Sequence, residues 1–283
     1  MNTRIKITGF ADEIDKDLSV QLEGVKRLGM SYFDPRNLFD KTISLLDETE
    51  TERLAAEMEK YGVKAGCIGS RIGKIGIEDD FAPHMEELKN TIRIAKRLDT
   101  KYIRIFSFFI SKGEAPLKYR DAVLYRMKEM AALAEQEGVM LLHENEKDIY
   151  GDTADRCLDI LESVNSPALG CIFDPANFIQ VGQDCREAFD KLASRITYMH
   201  IKDALADGTV VPAGLGLGAV PEIIKGLLER GYTGFACLEP HLGNFDGLQN
   251  LELDDSMLKL EKSDFSKFSL AHRALVDIIE NIK

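Results

Sequence analysis

The chain has 283 residues, 45% of them hydrophobic and 30% charged, and carries a formal net charge of −12. That acidic balance argues against a nucleic-acid footprint and against anionic membrane surfaces, and no apolar run approaches the roughly 20 residues needed to span a bilayer. The N-terminus meets acidic residues before any apolar stretch, and the five cysteines are odd in number with no CxxC pair, so a reduced, cytoplasmic protein without a signal peptide is expected.

Strand and helix signals alternate along the chain. Ile5–Phe10 is a short candidate strand, followed by a helix around Lys16–Leu28 that stops at Gly29. A weak second strand begins at Tyr32–Phe33 and ends in DPRN; Asp47–Tyr61 then reads as a helix with Gly62 where a C-cap glycine belongs. Val63–Ile68 is the third strand, Glu86–Leu98 an amphipathic helix, and Tyr102–Phe106 a fourth strand interrupted by Arg104. Pro116–Glu137 makes a long helix closed by Gly138, and the fifth strand opens at Val139. A helix over Asp152–Val164, capped near Asp152, leads to a sixth strand, Leu169–Phe173, and a helix around Cys185–Leu192. The seventh strand is Ile196–Ile201, Val220–Glu229 is a helix with Pro221 in its first turn, Phe235–Leu238 is the eighth strand, and Ser269–Ile282 is the last helix. This order predicts an α/β protein, one (β/α)8 TIM barrel over residues 1–283; a doubly wound open sheet is the competitor that the strand count disfavours.

The polar residues at the ends of the last four strands carry the chemistry. The apolar run from Val139 ends on Glu144, LGCIFDPANF on Asp174, ITYMHIKD on His200 and GFACLEPHL on Glu239, each about one βα unit from the last. Ligands of parallel α/β folds sit outside those ends. Any one of the four alone reads as a helix cap, a turn starter or a core histidine; four in succession read as one site. Three carboxylates and an imidazole, with no thiolate, suit one divalent ion: Mn, Mg or Co, with Zn admissible.

Lys202 shares strand parity with His200 and is a candidate for substrate oxygens, with a solvated lysine as the alternative. Glu146 is a weaker contact candidate against an exposed salt bridge, and His241, in parity with Glu239, either points at the site or bonds to its own loop. Arg36, Arg71 and Arg104 lie near early strand ends, where they meet a phosphate or simply pair locally. GLGLG at 214–218 lacks GxGxxG spacing, which argues against a dinucleotide site; its glycines are expected to let the loop approach substrate or a lid fold over it. The acidic connection 243–267 reads as a lid or an oligomer contact.

HENEKDIYGDT, FDPANF, MHIKD with its trailing PAGLGLG, and LEPHL resemble the sugar phosphate isomerase/epimerase family, which is similar to xylose isomerase and includes the tagatose/psicose 3-epimerases and inosose dehydratases. The resemblance covers most of the chain, with its specific motifs in the second half. It implies a metal held by Glu144, Asp174, His200 and Glu239, with Glu144 and Glu239 also the acid/base pair on opposite faces of a carbohydrate substrate. Asn177 stands where the ketose 3-epimerases place a substrate-binding His, and Tyr150 and Ala206 where they carry Glu and Arg. Those departures point away from 3-epimerisation of a free ketohexose and leave the metal set intact. The chemistry of such a site is removal of a weakly acidic C–H proton beside a carbonyl. Its return elsewhere gives epimerisation or isomerisation, and loss of a β-hydroxyl gives dehydration. An endonuclease IV-like hydrolase needs several more histidines and a basic surface, which five histidines and a net charge of −12 disfavour; a non-catalytic sugar-binding barrel is the third alternative.

Overall fold

In a computed structural model that describes residues 5–242 and 263–282, the helices form where the sequence supplies start and stop chemistry. Helix α1 (Leu18–Arg27) starts on Asp17, whose side chain accepts from the Ser19 N–H. Helix α2 (Glu48–Tyr61) starts on a reciprocal capping box between Asp47 and Glu50 and ends at Gly62, whose φ of 68° is left-handed. Helices α3 (Ala82–Arg97), α4 (Arg120–Glu137), α5 (Ala154–Val164), α6 (Cys185–Leu192), α7 (Val220–Glu229) and α8 (Phe265–Asn281) follow.

Between them run β1 (Lys6–Gly9), β2 (Tyr32–Phe33), β3 (Ile68–Ile72), β4 (Tyr102–Ile105), β5 (Met140–Glu144), β6 (Leu169–Phe173), β7 (Ile196–Ile201) and β8 (Phe235–Leu238). Seven of these form one parallel sheet in the order β1-β8-β7-β6-β5-β4-β3. The gap between β1 and β3 is filled by β2. Asp34 N donates to Gly9 O, Gly66 N to Phe33 O and Gly69 N to Pro35 O, each at 2.9 Å. The sheet thus curls into the (β/α)8 barrel that the alternation predicts.

Where element boundaries differ from expectation, side chains explain it. The third strand does not run unbroken from Val63 to Ile68: Lys64–Ala65 pairs with β2, the chain breaks at Gly66 and Cys67, and β3 resumes to Ile72. The break makes room for Asp34, which accepts from Cys67 N at 2.9 Å, and a Cβ at Gly66 would lie 2.5 Å from Asp34 Oδ1. Asp152 does not cap α5; it binds Arg156, and the helix begins two residues later. The last helix begins at Phe265 rather than Ser269 because Phe265 and Phe268 are both buried. The short helix Pro175–Gln180 after β6 was unforeseen, although Asp174-Pro175 is a helix start. Nearly all of the 243–267 connection lies outside the described residues.

Asp34 is the internal tie of the barrel. The carboxyl is buried and accepts from Thr8 Oγ1 at 2.7 Å and from Tyr198 Oη at 2.8 Å, so it links β1, β2, β3 and β7 where the strand ladder is shortest. Burial raises its pKa, and these hydrogen bonds oppose the rise. Asp34→Ala leaves buried donors on Thr8, Tyr198 and Cys67 without an acceptor and is expected to cost about 3 kcal/mol. Asp34→Asn, which keeps an acceptor oxygen, should cost clearly less; urea unfolding of the two variants measures the difference.

Candidate metal centre

The last four strands end on the same face of the barrel. Glu144 is the last residue of β5, Asp174 directly follows β6, His200 lies one residue from the end of β7, and Glu239 directly follows β8. All four are buried, and one ligand atom from each lies within 4.8 Å of the others. His200 Nδ1 is 2.8 Å from Glu144 Oε1, 3.1 Å from Glu239 Oε2 and 4.0 Å from Asp174 Oδ2. Strand alternation explains the inward set. His143, the neighbour of Glu144, faces the other way and meets Ser107 Oγ at 2.9 Å.

Of the four residues expected around the metal set, Asn177 and Lys202 join the cluster. Lys202 is buried, not solvated: its Nζ lies 3.0 Å from Asp174 Oδ2 and 3.5 Å from Glu239 Oε2. Asn177 donates through Nδ2 to Asn145 O at 2.8 Å and approaches Glu144 Oε1 at 3.5 Å. Its backbone N–H is capped by Asp174 Oδ1, which leaves Oδ2 turned to the cluster. His241 stays at the rim, 3.2 Å from Glu13 Oε1 and 3.4 Å from Glu239 Oε1. Glu146 lies past the end of β5, where strand parity lapses, and pairs with Lys74 at 3.1 Å.

Asn145, to which the sequence assigned no part, and Arg36 and Arg104, which pair locally, hold the acidic residues of the cluster. Asn145 exchanges two hydrogen bonds with the Asp174 backbone, at 2.9 and 3.0 Å, and locks the ends of β5 and β6 together. Arg104 donates to Glu144 Oε2 at 3.1 Å, so its interruption of an apolar strand serves a buried ion pair. Arg36 pairs with Asp12 and Glu13 and reaches Glu239 Oε1 at 3.3 Å. Arg71 is exposed. The glycine-rich loop folds over Asp203. Asp203 accepts from the N–H groups of Ala204, Gly214, Gly216 and Gly218, and a Cβ at Gly216 would sit 2.3 Å from Asp203 Oδ1.

The electrostatics show a shortage of positive charge. Burial works against ionisation of Glu144 and of Glu239, but His200 with Arg104 in the first case, and Lys202 with His200 in the second, hold both below the usual carboxylate range. At Asp174 burial wins despite Lys202, helped by repulsion from Glu239 and Glu144, and its pKa is raised. Burial lowers the affinity of His200 for a proton, yet Glu144 and Glu239 pull its pKa up to about 9. Asp174 Oδ2 and Glu239 Oε2 are buried without a well-aligned hydrogen bond, although Lys202 lies at ion-pair distance from both. Converging oxygens short of a cation fit a hard or borderline divalent ion. Glu13, Glu239 and His241 also converge, but Arg36 already supplies the positive charge there, so the donor set fits one ion.

Comparison with known proteins agrees with the barrel fold. The sequence profile of the xylose isomerase-like TIM barrel matches residues 22–261. A 3-oxo-isoapionate decarboxylase of Pectobacterium atrosepticum is 28% identical over 162 residues, a match that spans 56% of this chain and only about half, 54%, of that enzyme. A xylose isomerase-like TIM barrel protein from Mycobacterium smegmatis, solved in complex with magnesium, superposes with a TM-score of 0.73 at 17% identity and 100% coverage of both chains. A D-tagatose 3-epimerase-like protein superposes with a TM-score of 0.76 at 16% identity, covering 98% of each chain.

Asp174→Asn and His200→Ala are expected to lose the metal while keeping the fold, because both residues lie on the face where changes touch function more than core. Elemental analysis of the protein after Mn2+ loading, alongside circular dichroism, checks this; full occupancy in both variants would remove them from the ligand set.

Proposed function

The chain belongs to the xylose isomerase-like TIM-barrel family, and from that premise we propose that it is a divalent-metal-dependent isomerase or epimerase of a carbohydrate or sugar phosphate, moving a proton by way of an enediolate. The observation that carries this reading is the buried cluster of Glu144, Asp174, His200 and Glu239 with Lys202 against it. Glu144, Asp174, His200 and Glu239 would hold Mn2+, Mg2+ or Co2+, which would supply Lewis-acid stabilisation of negative charge on substrate oxygens.

The protein's own groups do the rest. Glu144 ends β5 and Glu239 follows β8, with β6 and β7 between those strands, so the two carboxylates enter the site from different sides and would address opposite faces of one carbon. One takes the C–H proton and the other returns it, to the same carbon for epimerisation or to its neighbour for isomerisation. Lys202 is placed to bind a substrate oxygen, with Asn177 beside it and Glu146 and His241 at the rim.

Charge supports an anionic intermediate. Glu144, Asp174 and Glu239 meet the positive charges of Lys202 and Arg104. Proton transfer from carbon to Glu144 or Glu239 leaves the net charge of the site unchanged and moves negative charge from the carboxylate to the substrate oxygens, where Lys202 and a bound divalent ion would stabilise it.

A second reading is decarboxylation of a 3-oxo sugar acid, favoured by the decarboxylase relative. A carboxylate substrate brings one negative charge. When its C–C bond breaks, CO2 leaves and the electron pair stays on the enediolate, so the charge of the site does not change. The five cysteines are free and buried, as suits a reducing cytoplasm.

Glu144→Gln and Glu239→Gln should each lower turnover by roughly 100-fold or more, the usual loss for a missing general base. In deuterated water the wild type is expected to exchange the C–H beside the carbonyl and each variant to exchange it slowly. Turnover of a ketose or aldose with no deuterium in the product would instead mean a hydride shift. Stoichiometric CO2 from a 3-oxo aldonate, with no conversion of neutral or phosphorylated sugars, would establish the second reading in place of the first.

A further inference from the structure

The guanidinium of Arg104 is held from several sides. Its Nε donates to Ser70 O and its Nη2 to Gly69 O, both at 3.3 Å, so two carbonyls around the start of β3 set the plane of the guanidinium. Phe10 lies 4.6 Å and Phe106 5.1 Å from the guanidinium carbon, which restricts it further. The remaining edge of the fork is aimed at Glu144 Oε2, at 3.1 Å, in a contact that is buried on both sides. Glu144 Oε1 is left facing His200 Nδ1 at 2.8 Å. The two oxygens of one carboxylate therefore have separate assignments, one to the protein and one to the cluster.

We infer that Arg104 is a positioning residue that confines Glu144 to one ligand oxygen and thereby sets which divalent ion the site prefers. The inference rests on the metal reading above and goes beyond it. Ca2+ gathers 6–8 oxygens at long distances and often takes both oxygens of a carboxylate, whereas smaller ions demand near-octahedral geometry with few protein oxygens. A carboxylate with one oxygen withheld meets the second requirement and fails the first. The charge of Arg104 opposes any divalent cation alike, so its removal shifts the affinities for Mn2+ and Ca2+ together. The ratio of those affinities isolates the geometric effect.

The test is calorimetric titration of wild type and Arg104→Met with Mn2+ and, separately, with Ca2+. Wild type is expected to favour Mn2+, and the variant's Mn2+ over Ca2+ preference should fall about tenfold or more, the scale of changes that follow loss of a group orienting a ligand. Circular dichroism reports whether the variant folds. Should it not, Arg104→Lys, which keeps the charge and loses the fork, is expected to lower the preference in the same direction. An unchanged ratio in the folded variant overturns the role of Arg104 alone. Failure of wild type to bind either ion overturns the metal reading, and this inference with it.

Discussion

Three carboxylates forced together in a buried site are the constraint on which the rest of this structure depends. Parallel strands that end side by side deliver Glu144, Asp174 and Glu239 to one small volume, and burial removes the water that would otherwise separate their charges. The protein answers with Lys202 and Arg104, and His200 is drawn toward its protonated form. Arg36, which reaches Glu239, is shared with Asp12 and Glu13, and Asp174 shows the remaining deficit as a raised pKa. A bound divalent ion would make up that deficit.

Holding such a cluster demands rigidity, and the barrel supplies it at two levels. Beneath the site, Asp34 gathers donors from β1, β7 and the break before β3, and bridges the stretch where β2 offers only two paired residues. At the site itself Asn145 joins the ends of neighbouring strands, while Arg36 ties the loops after β1, β2 and β8 to Glu239. The glycine-rich loop plays a similar part, since its backbone wraps the Asp203 carboxylate just beyond β7. Conformational entropy lost by these side chains is offset in the folded state, so the ligands need little rearrangement when they act.

The strands and helices were legible because hydrophobic period and punctuation agree: Gly62 and Gly138 end their helices in the left-handed conformation, and Asp47 opens one with a full capping box. The convergence of Glu144, Asp174, His200 and Glu239 was legible for a related reason, since strand ends in a parallel barrel must meet. What escaped the sequence depends on side chains that cross between elements. The broken third strand follows from the carboxylate of Asp34, and the position of Glu146 follows from β5 ending at Glu144. Arg104 looked like a flaw in a strand because its partner lies 40 residues away. The role of GLGLG in wrapping Asp203, 11 to 15 residues upstream, was not legible because it depends on a side chain that the loop closes over.

Crystals grown with Mn2+ and measured at the manganese absorption edge test the central claim most directly. The account predicts one anomalous peak per chain, within bonding distance of Glu144, Asp174, His200 Nδ1 and Glu239. A map with no peak there, or with its peak beside Glu13 and His241 instead, would contradict it.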